Sequence, residues 1–145
     1  MKTKFIFLLL GIALLMGLYL VAQEHYTEGP VWRTTLISVK PNQMDAYLTS
    51  LRQGTKPLLD EEKKEGLIMD YKVFLKETST GPKDWDVLVA VEYKNHAALD
   101  GLTAKTEAVR DKVMGGKQQA QQLGEKRQEM REIIGSELMQ EINLR

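Results

Sequence analysis

The stretch DWDVLVAVEYKNHAAL, residues 84–99, combines a strand with the start of a helix. Alternate residues share one face of a strand, and here they form an apolar row: Trp85, Val87, Val89, Val91 and Tyr93. The other face carries Leu88 and Ala90, so the strand is partly apolar on both sides. Asn95 then predicts a helix start, because its side chain can accept a hydrogen bond from a first-turn N–H. We predict a buried strand leading into a capped helix.

A second strand precedes this one along the chain. In LIMDYKVFLK, residues 67–76, apolar residues occupy every second position and mostly polar residues lie between them. The polar connection that follows contains a Gly-Pro pair, which favours a loop. The two strands are expected to form a hairpin with a long loop.

The first strand and the first helix lie further upstream. VWRTTLISVK, residues 31–40, is rich in β-branched residues and predicts a strand that Pro41 ends. Asn42 is expected to cap the following helix, with Asp45 near its positive end.

Glycine and proline predict a break in this helix. Gly54 and Pro57 are expected to interrupt it, and Thr55 would cap a second short helical piece that ends at Gly66.

Three elements complete the chain. The helix that begins at Asn95 is expected to end at the two glycines 115–116. The Gln-rich segment 117–132 predicts an additional helix, because charges are interleaved with its glutamines. Residues 136–145 predict the last strand.

The order of elements predicts an α+β fold of the ferredoxin-like type. Strand, helix, strand, strand, helix and strand give the βαββαβ motif, with the extra helix before the last strand. Two right-handed crossovers place the helices on one face of a four-stranded antiparallel sheet whose first and third strands are central. The first strand nevertheless carries Trp32 and Leu36 opposite Ile37 and Val39. Because strands that are apolar on both faces are usually covered on both, we expect a homodimer.

Three motifs resemble a known superfamily. ISVKPNQMDAYLTSL, GLIMDYKVF and DWDVLVAVEYKNHAAL are similar to segments of dimeric α/β-barrel proteins, which include antibiotic-biosynthesis-type monooxygenases and stress-responsive barrel proteins. The resemblance covers residues 31–114 and the last strand. It implies that two ferredoxin-like sheets close into an α/β barrel that contains small-molecule pockets. The helix at 117–132 departs from the pattern of that superfamily.

The N-terminal segment indicates export. Lys2 and Lys4 precede an uncharged apolar run at 5–22, which is typical of a signal peptide or of an N-terminal anchor. We predict that residues 1–22 direct the chain out of the cytoplasm, as a periplasmic or secreted protein or one anchored to the membrane by this segment. Residues 23–30 would form a short leader, and residues 31–145 the folded domain. The chain has no Cys, so it has no disulfides.

Composition excludes several classes of function. The 20 basic and 20 acidic residues balance, so no positive field favours nucleic acid. With two histidines and no Cys, a zinc or copper site lacks ligands, and we predict neither a metal nor a cofactor. Asp84 and Asp86 are interpreted as a charged loop end. The glutamates 61, 62 and 65 are interpreted as a solvated helix face.

His96 is the first candidate for a catalytic residue. At the start of a helix a neutral imidazole is favoured, and it would serve as a base if it lined a pocket beside Tyr93. The alternative is a solvent-facing residue of the first turn, which we favour. In the haem-degrading branch of the superfamily the iron ligand is a His further along the second helix. This chain has no His after 96, so that route to haem binding is not expected.

Four aromatic residues are candidates for a ligand pocket: Trp32, Tyr71, Trp85 and Tyr93. If their strand face lines a barrel, they would form an apolar pocket with polar tips. If that face meets the helices, they belong to the core, which is the interpretation we favour.

The leading hypothesis is a non-catalytic binding or structural module that holds a small apolar ligand. The alternative is a cofactor-independent monooxygenase or isomerase acting on a small aromatic or quinol-like substrate. Such a substrate reacts with oxygen itself, so few catalytic side chains are needed. A cavity reached by Tyr93 and His96 would favour the enzyme.

Overall fold

The chain folds into a four-stranded antiparallel sheet with helices. A computed structural model describes residues 25–79, 81 and 84–145. The strands are β1 (Tyr26–Val39), β2 (Asp70–Leu75), β3 (Val87–Tyr93) and β4 (Arg131–Leu144). The α-helices are α1 (Met44–Ser50), α2 (Lys56–Lys64), α3 (Leu102–Met114) and α4 (Lys117–Met130). A π-helical segment (Leu51–Thr55) joins α1 to α2, and a short 3-10 helix (His96–Leu99) precedes α3.

The strand order confirms the ferredoxin-like topology. The order is β2-β3-β1-β4, so the first and third strands are central, as predicted. In the register of the sheet, Leu36 is paired with Leu88, and Phe74 is paired with Leu88 from the other side. Tyr71 is paired with Val91, so odd residues of β1, β2 and β3 share one face and even residues share the other.

The core lies between the odd face of the sheet and the helices. From the sheet it contains Val31, Ile37, Val87, Val89 and Tyr93, all of odd number. From the helical segments it contains Tyr47, Leu51, Leu59, Leu102 and Met130. Burying these side chains contributes about 1.5–3 kcal/mol for each large apolar residue. The odd face is therefore the helix-covered one.

The residues divide into two compact units. Residues 30–140 form the larger one, which holds this core. Among the described residues, 25–29 and 141–145 belong to the smaller unit, where the Arg145 N–H donates to the His25 carbonyl at 3.1 Å. In the same unit a Cβ placed on Gly29 would lie 3.2 Å from Glu141 Cβ, which is a tight contact.

The start of α1 differs from the prediction. Asn42 does not cap the helix, because its backbone has a φ of 62° and lies in the left-handed region, which Asn tolerates better than most residues. Gln43 is the N-cap instead, and its side chain makes no capping hydrogen bond. Asp45 lies in the first turn of α1, as predicted.

The predicted break at Gly54 and Pro57 is absent. Helical backbone continues from α1 into α2 through the π-helical segment, and the Lys56 N–H donates to the carbonyl of Leu51, five residues back. Thr55 is the N-cap of α2 but makes no side-chain capping bond. A π turn is wider than an α turn, which accommodates the missing N–H and the ring of Pro57 near the start of α2.

The helical region after β3 has two parts rather than one. Asn95 caps as predicted, and its Oδ1 accepts a hydrogen bond from the Ala98 N–H at 3.1 Å. The element it caps is the 3-10 helix, which Gly101 (φ 64°) separates from α3. Gly115, with a φ of 76°, then ends α3 as predicted.

Strand boundaries also differ from the predicted ones. The first strand begins at Tyr26, upstream of the predicted start at Val31, and the last begins at Arg131 rather than Ser136. The second strand is shorter than predicted and covers only Asp70–Leu75. Helix α4 therefore leads into β4 without a loop, and the Lys40 N–H donates to the Met130 carbonyl at 2.9 Å at this junction.

The predicted export segment at 1–22 lies outside the described residues. Among the residues that the structure does describe, no helix has the length and apolar character needed to cross a membrane.

Exposed apolar side chains concentrate on the two edge strands. In the described part of residues 30–140, large apolar residues are exposed on β2 at Val73, Phe74 and Leu75, and on β4 at Ile133, Ile134, Leu138 and Met139. Monomeric proteins rarely expose such residues in groups, so these strands indicate surfaces suited to association.

Candidate functional site

A cavity of about 290 Å³ lies beside Tyr93, between the odd face of the sheet and the helices; we call it the Tyr93 cavity. Its lining residues come from β1, β3, α2, the 3-10 helix and α3: Arg33, Leu59, Glu62, Val91, Tyr93, Leu99, Leu102, Thr103, Thr106, Glu107 and Arg110. A volume of this size suits a small organic molecule.

The sheet register sets the position of Tyr93. Tyr93 is paired with Val31, and Arg33 is paired with Val91, so Arg33 and Tyr93 are diagonal neighbours on the same face. The guanidinium carbon of Arg33 lies 5.4 Å from the centroid of the Tyr93 ring, within cation–π distance. The tyrosine itself is 4% exposed. One wall of the cavity is therefore a tyrosine held in place by the core and by an arginine.

Glu62 is the unexpected member of this cavity. The solvated helix face predicted for the glutamates 61, 62 and 65 is wrong for Glu62, which is only 5% exposed. Glu62 follows the buried Leu59 by three residues on α2, so both lie on the face of that helix that meets the core. The run DEEKKE hides this position in a uniformly charged pattern, and only the spacing from Leu59 could have revealed it.

Burial changes the acid–base behaviour of the two groups. Desolvation raises the pKa of the Glu62 carboxyl, and hydrogen bonding to the Thr106 hydroxyl opposes that rise. Burial also raises the pKa of the Tyr93 hydroxyl; the charge of Arg33 lowers it and the charge of Glu62 raises it. Burial therefore acts in the same direction on both groups, because it favours the protonated form, which can donate a hydrogen bond.

The remaining walls of the cavity are apolar on one side and charged on another. Leu59, Leu99 and Leu102 supply apolar surface. Glu107 and Arg110 supply charge, and they lie 4.0 Å apart between Oε1 and Nη2. The arrangement suits a molecule that has both an apolar part and polar groups.

Tyr71 lies on the same sheet face but at a different cavity. Its hydroxyl donates to Asp60 Oδ1 at 2.6 Å, and its ring packs against the core. It lines an apolar cavity of about 360 Å³ together with residues of α1, the π-helical segment and α2. The odd-with-odd register places Tyr71 and Tyr93 on the helix-covered face, but the two tyrosines do not line one pocket.

The two tryptophans lie away from the Tyr93 cavity. Trp32 is on the even face, where Lys72 Nζ is 5.4 Å from the centroid of its ring. Trp85 precedes β3, and Lys76 Nζ lies 5.0 Å from the centroid of its ring. Lys76 also forms an ion pair with Asp84. The four aromatic candidates are therefore distributed over separate surroundings.

His96 is exposed at the first position of the 3-10 helix. The Tyr93 cavity includes Leu99 from this element but not His96. The geometry therefore does not bring His96 and Tyr93 together around one cavity.

Acidic residues of the predicted loop end and of the predicted helix face interact with protein groups. Asp86 Oδ2 accepts from the Val39 N–H at 2.7 Å and from the Ser38 hydroxyl at 3.4 Å. Glu61 and Glu65 form ion pairs with Lys112 at 2.7 and 3.0 Å. Within residues 25–79, 81 and 84–145, no three His, Asp or Glu side chains are close enough together to hold a metal ion.

Comparison with known proteins supports the fold. A NIPSNAP family protein of unknown function from Agrobacterium tumefaciens aligns with a TM-score of 0.52 and 14% identity, covering 83% of this chain and 94% of that one. A dimeric ferredoxin-like protein from an uncultured marine organism aligns with a TM-score of 0.51 and 13% identity, covering 80% and 89%. The resemblance drawn from the sequence motifs is confirmed at the level of the ferredoxin-like fold. No protein family matches the sequence, and no curated protein is significantly similar to it.

Proposed function

We propose that the chain is a non-catalytic binding module that forms a homodimer and holds a small apolar molecule in the Tyr93 cavity of each protomer. The observation that carries this proposal is the cavity of about 290 Å³, which joins apolar walls to Tyr93 and the buried Glu62. Binding sites for small molecules join apolar walls to placed polar groups, and this cavity offers leucine side chains beside polar and charged ones.

The polar groups narrow the class of ligand. The raised pKa values of Glu62 and Tyr93 keep both groups protonated to higher pH than exposed groups of the same type. Protonated carboxyl and phenol groups donate hydrogen bonds to carbonyl or hydroxyl oxygens. These donors suit an aromatic or quinol-like molecule that carries such an oxygen, which is the class of ligand proposed for this cavity.

Binding is tested by thermal-shift and calorimetric measurements with naphthol and hydroquinone as probes. Tyr93→Phe should weaken binding about tenfold, since one buried hydrogen bond contributes roughly 1.4 kcal/mol. Tyr71→Phe is the matched control, because it removes a tyrosine hydroxyl from the same sheet face but outside the Tyr93 cavity. Equal affinities in the two variants would contradict binding in this cavity.

The same experiment addresses the enzymatic alternative. A cofactor-independent monooxygenase would consume oxygen when hydroquinone is added, whereas a binding module would bind the probe without consuming oxygen. Oxygen consumption that Tyr93→Phe abolishes and Tyr71→Phe retains would replace the binding module with the enzyme.

The homodimer is supported by the even face of the sheet. Phe74, Leu88 and Leu36 form one row across β2, β3 and β1 through their pairing, and Phe74 is 46% exposed. The dimeric ferredoxin-like protein shows that this fold occurs in dimers. Residues 23–145 should therefore sediment as a dimer at micromolar concentration. A stable monomer would contradict the proposal.

Export remains part of the proposal. It is supported by Lys2 and Lys4 before the apolar run at 5–22. Residues 1–22 fused to a reporter that is active only outside the cytoplasm should switch the reporter on. Mass spectrometry of the protein then distinguishes cleavage, with a start near Gln23, from an N-terminal anchor that retains Met1.

A further inference from the structure

Two arginines converge on a buried tyrosine at a place separate from the Tyr93 cavity. Arg127 of α4 and Arg131, the first residue of β4, are four positions apart in the chain. The guanidinium carbon of Arg131 lies 5.9 Å from the centroid of the Tyr47 ring, and Tyr47 is 1% exposed. Gly54 makes room for Arg127, because a Cβ at Gly54 would overlap Nη2 of that guanidinium.

These arginines hold donors that the protein leaves unused. Nε and Nη2 of Arg127 and Nε of Arg131 are buried and have no hydrogen-bond partner among residues 25–79, 81 and 84–145. In the part of the chain that the structure describes, neither arginine forms an ion pair. Asp45 lines a neighbouring cavity of about 370 Å³ together with Arg127, but it is not among the ion-paired residues of the described chain. Buried donors are normally satisfied, so three unsatisfied ones at one place require an explanation.

The two positive charges also repel each other. Burial lowers the pKa of Arg127, and the charge of Arg131 lowers it further. Burial raises the pKa of the Tyr47 hydroxyl, while the charges of both arginines oppose that rise. The Arg131–Tyr47 contact compensates only one of the guanidinium groups. An anion placed between the arginines would remove the repulsion and satisfy the donors together.

A cavity lies at this position. It has a volume of about 230 Å³ and is lined by both arginines, by Tyr47, Thr35 and Thr55, and by apolar residues that include Ile37 and Val89. The cavity therefore has both polar and apolar lining residues, and its volume limits the ligand to a compact organic molecule. We call it the arginine pocket.

We propose that the arginine pocket binds a small organic carboxylate, with the carboxylate accepting hydrogen bonds from Arg127 and Arg131. The planar guanidinium fork matches a carboxylate and donates to both of its oxygens. The apolar lining residues accommodate the hydrocarbon part of the molecule. Bare inorganic anions would leave that apolar surface without a contact.

The test measures benzoate binding by calorimetry on the protein as it is purified from expressing cells. Benzamide is the neutral probe of the same shape, and inorganic phosphate is the anion without an apolar part. Benzoate should bind at least about tenfold more tightly than either. Equal binding of benzamide, or equal binding of phosphate, would overturn the assignment to an organic carboxylate.

Two variants locate the site. Arg127→Gln and Arg131→Gln should each weaken benzoate binding about tenfold or more. Arg110→Gln is the matched control, because Arg110 lines the Tyr93 cavity and not the arginine pocket. Loss of benzoate binding in Arg110→Gln, with binding retained in Arg127→Gln, would overturn the proposal and place benzoate in the Tyr93 cavity instead.

Folding of the variants supplies an independent measurement. Without benzoate, Arg127→Gln should melt at the same temperature as the unchanged protein or higher, because it removes an uncompensated buried charge. A lower melting temperature for both Arg127→Gln and Arg131→Gln would show that these charges already stabilise the empty protein, and would overturn the argument from unsatisfied donors.

Discussion

The pKa of the Glu62 carboxyl depends on the burial of this residue. The residue is 5% exposed, and desolvation raises the pKa of its carboxyl. In the unfolded chain the same carboxyl titrates near its usual value of 4.5. Between the unfolded-state pKa and the folded-state pKa, the folded protein binds more protons than the unfolded one. The contribution of this carboxyl to the free energy of unfolding is therefore fully present below the unfolded-state pKa, and it is lost as the pH rises through the folded-state pKa.

We therefore predict that Glu62→Gln removes this loss of stability. The melting temperature of Glu62→Gln should rise relative to that of the unchanged protein as pH increases above about 4.5, and the difference should level off above the folded pKa. Denaturation from pH 4 to pH 8 measures it. A difference that stays constant from pH 4 to pH 8 for Glu62→Gln would contradict the effect of burial.

Asn95 and His96 are adjacent in the chain, but we expect them to contribute differently to the stability of the fold. The Asn95 side chain accepts a hydrogen bond from the Ala98 N–H at 3.1 Å, whereas no hydrogen bond of the His96 side chain occurs among the described contacts. Asn95→Ala should cost about 1 kcal/mol, which lowers the melting temperature by about 3–5 °C. His96→Ala should stay within about 0.5 kcal/mol of the unchanged protein. A larger effect at His96 than at Asn95 in thermal unfolding would reverse this interpretation.

At the scale of elements, glycine has opposite effects at two positions. Gly101 joins the 3-10 helix to α3 with a φ of 64°, which side-chain-bearing residues adopt only with strain. Gly124 lies within α4 in ordinary helical backbone. A Cβ at either position would meet no atom within 4 Å, so backbone conformation alone decides the result.

Gly101→Ala should therefore destabilise the protein by about 1 kcal/mol, whereas Gly124→Ala should stabilise it by about 0.5–1 kcal/mol. Urea unfolding of the two variants measures both changes with the same substitution. If both substitutions changed the stability in the same direction, packing and not backbone conformation would determine their effects.

The elements also show where sequence patterns suffice. The alternation in β3 and the cap at Asn95 follow from local spacing, and both were predicted. The left-handed backbone at Asn42 and the π-helical segment were not, because Asn and Gly-Thr-Lys-Pro fit several local conformations equally well. Tertiary packing selects one of these local conformations, because Leu51 and Leu59 must both be placed in the core. The Tyr93 cavity combines residues of five elements, and of these the sequence indicated only Tyr93.

At the scale of the whole molecule, the sheet presents two faces with different surroundings. The odd face is covered by helices and borders both the Tyr93 cavity and the arginine pocket. The even face carries the row formed by Phe74, Leu88 and Leu36. Under the proposed function the ligands and the partner copy lie on opposite faces, so a substitution that separates the two copies should leave both cavities unchanged. This separation can be tested with adjacent residues.

Phe74 and Leu75 are neighbours on β2 that belong to opposite faces and are 46% and 53% exposed. If the even face joins two copies, Phe74→Glu buries an unpaired charge at the interface, and it should raise the dissociation constant of the dimer at least about a hundredfold. Leu75→Glu places the same charge on the odd face and should leave the constant unchanged within a few-fold. Sedimentation velocity over a dilution series measures both, and circular dichroism verifies that each variant is folded. Dissociation by Leu75→Glu alone would assign the interface to the other side of this edge strand.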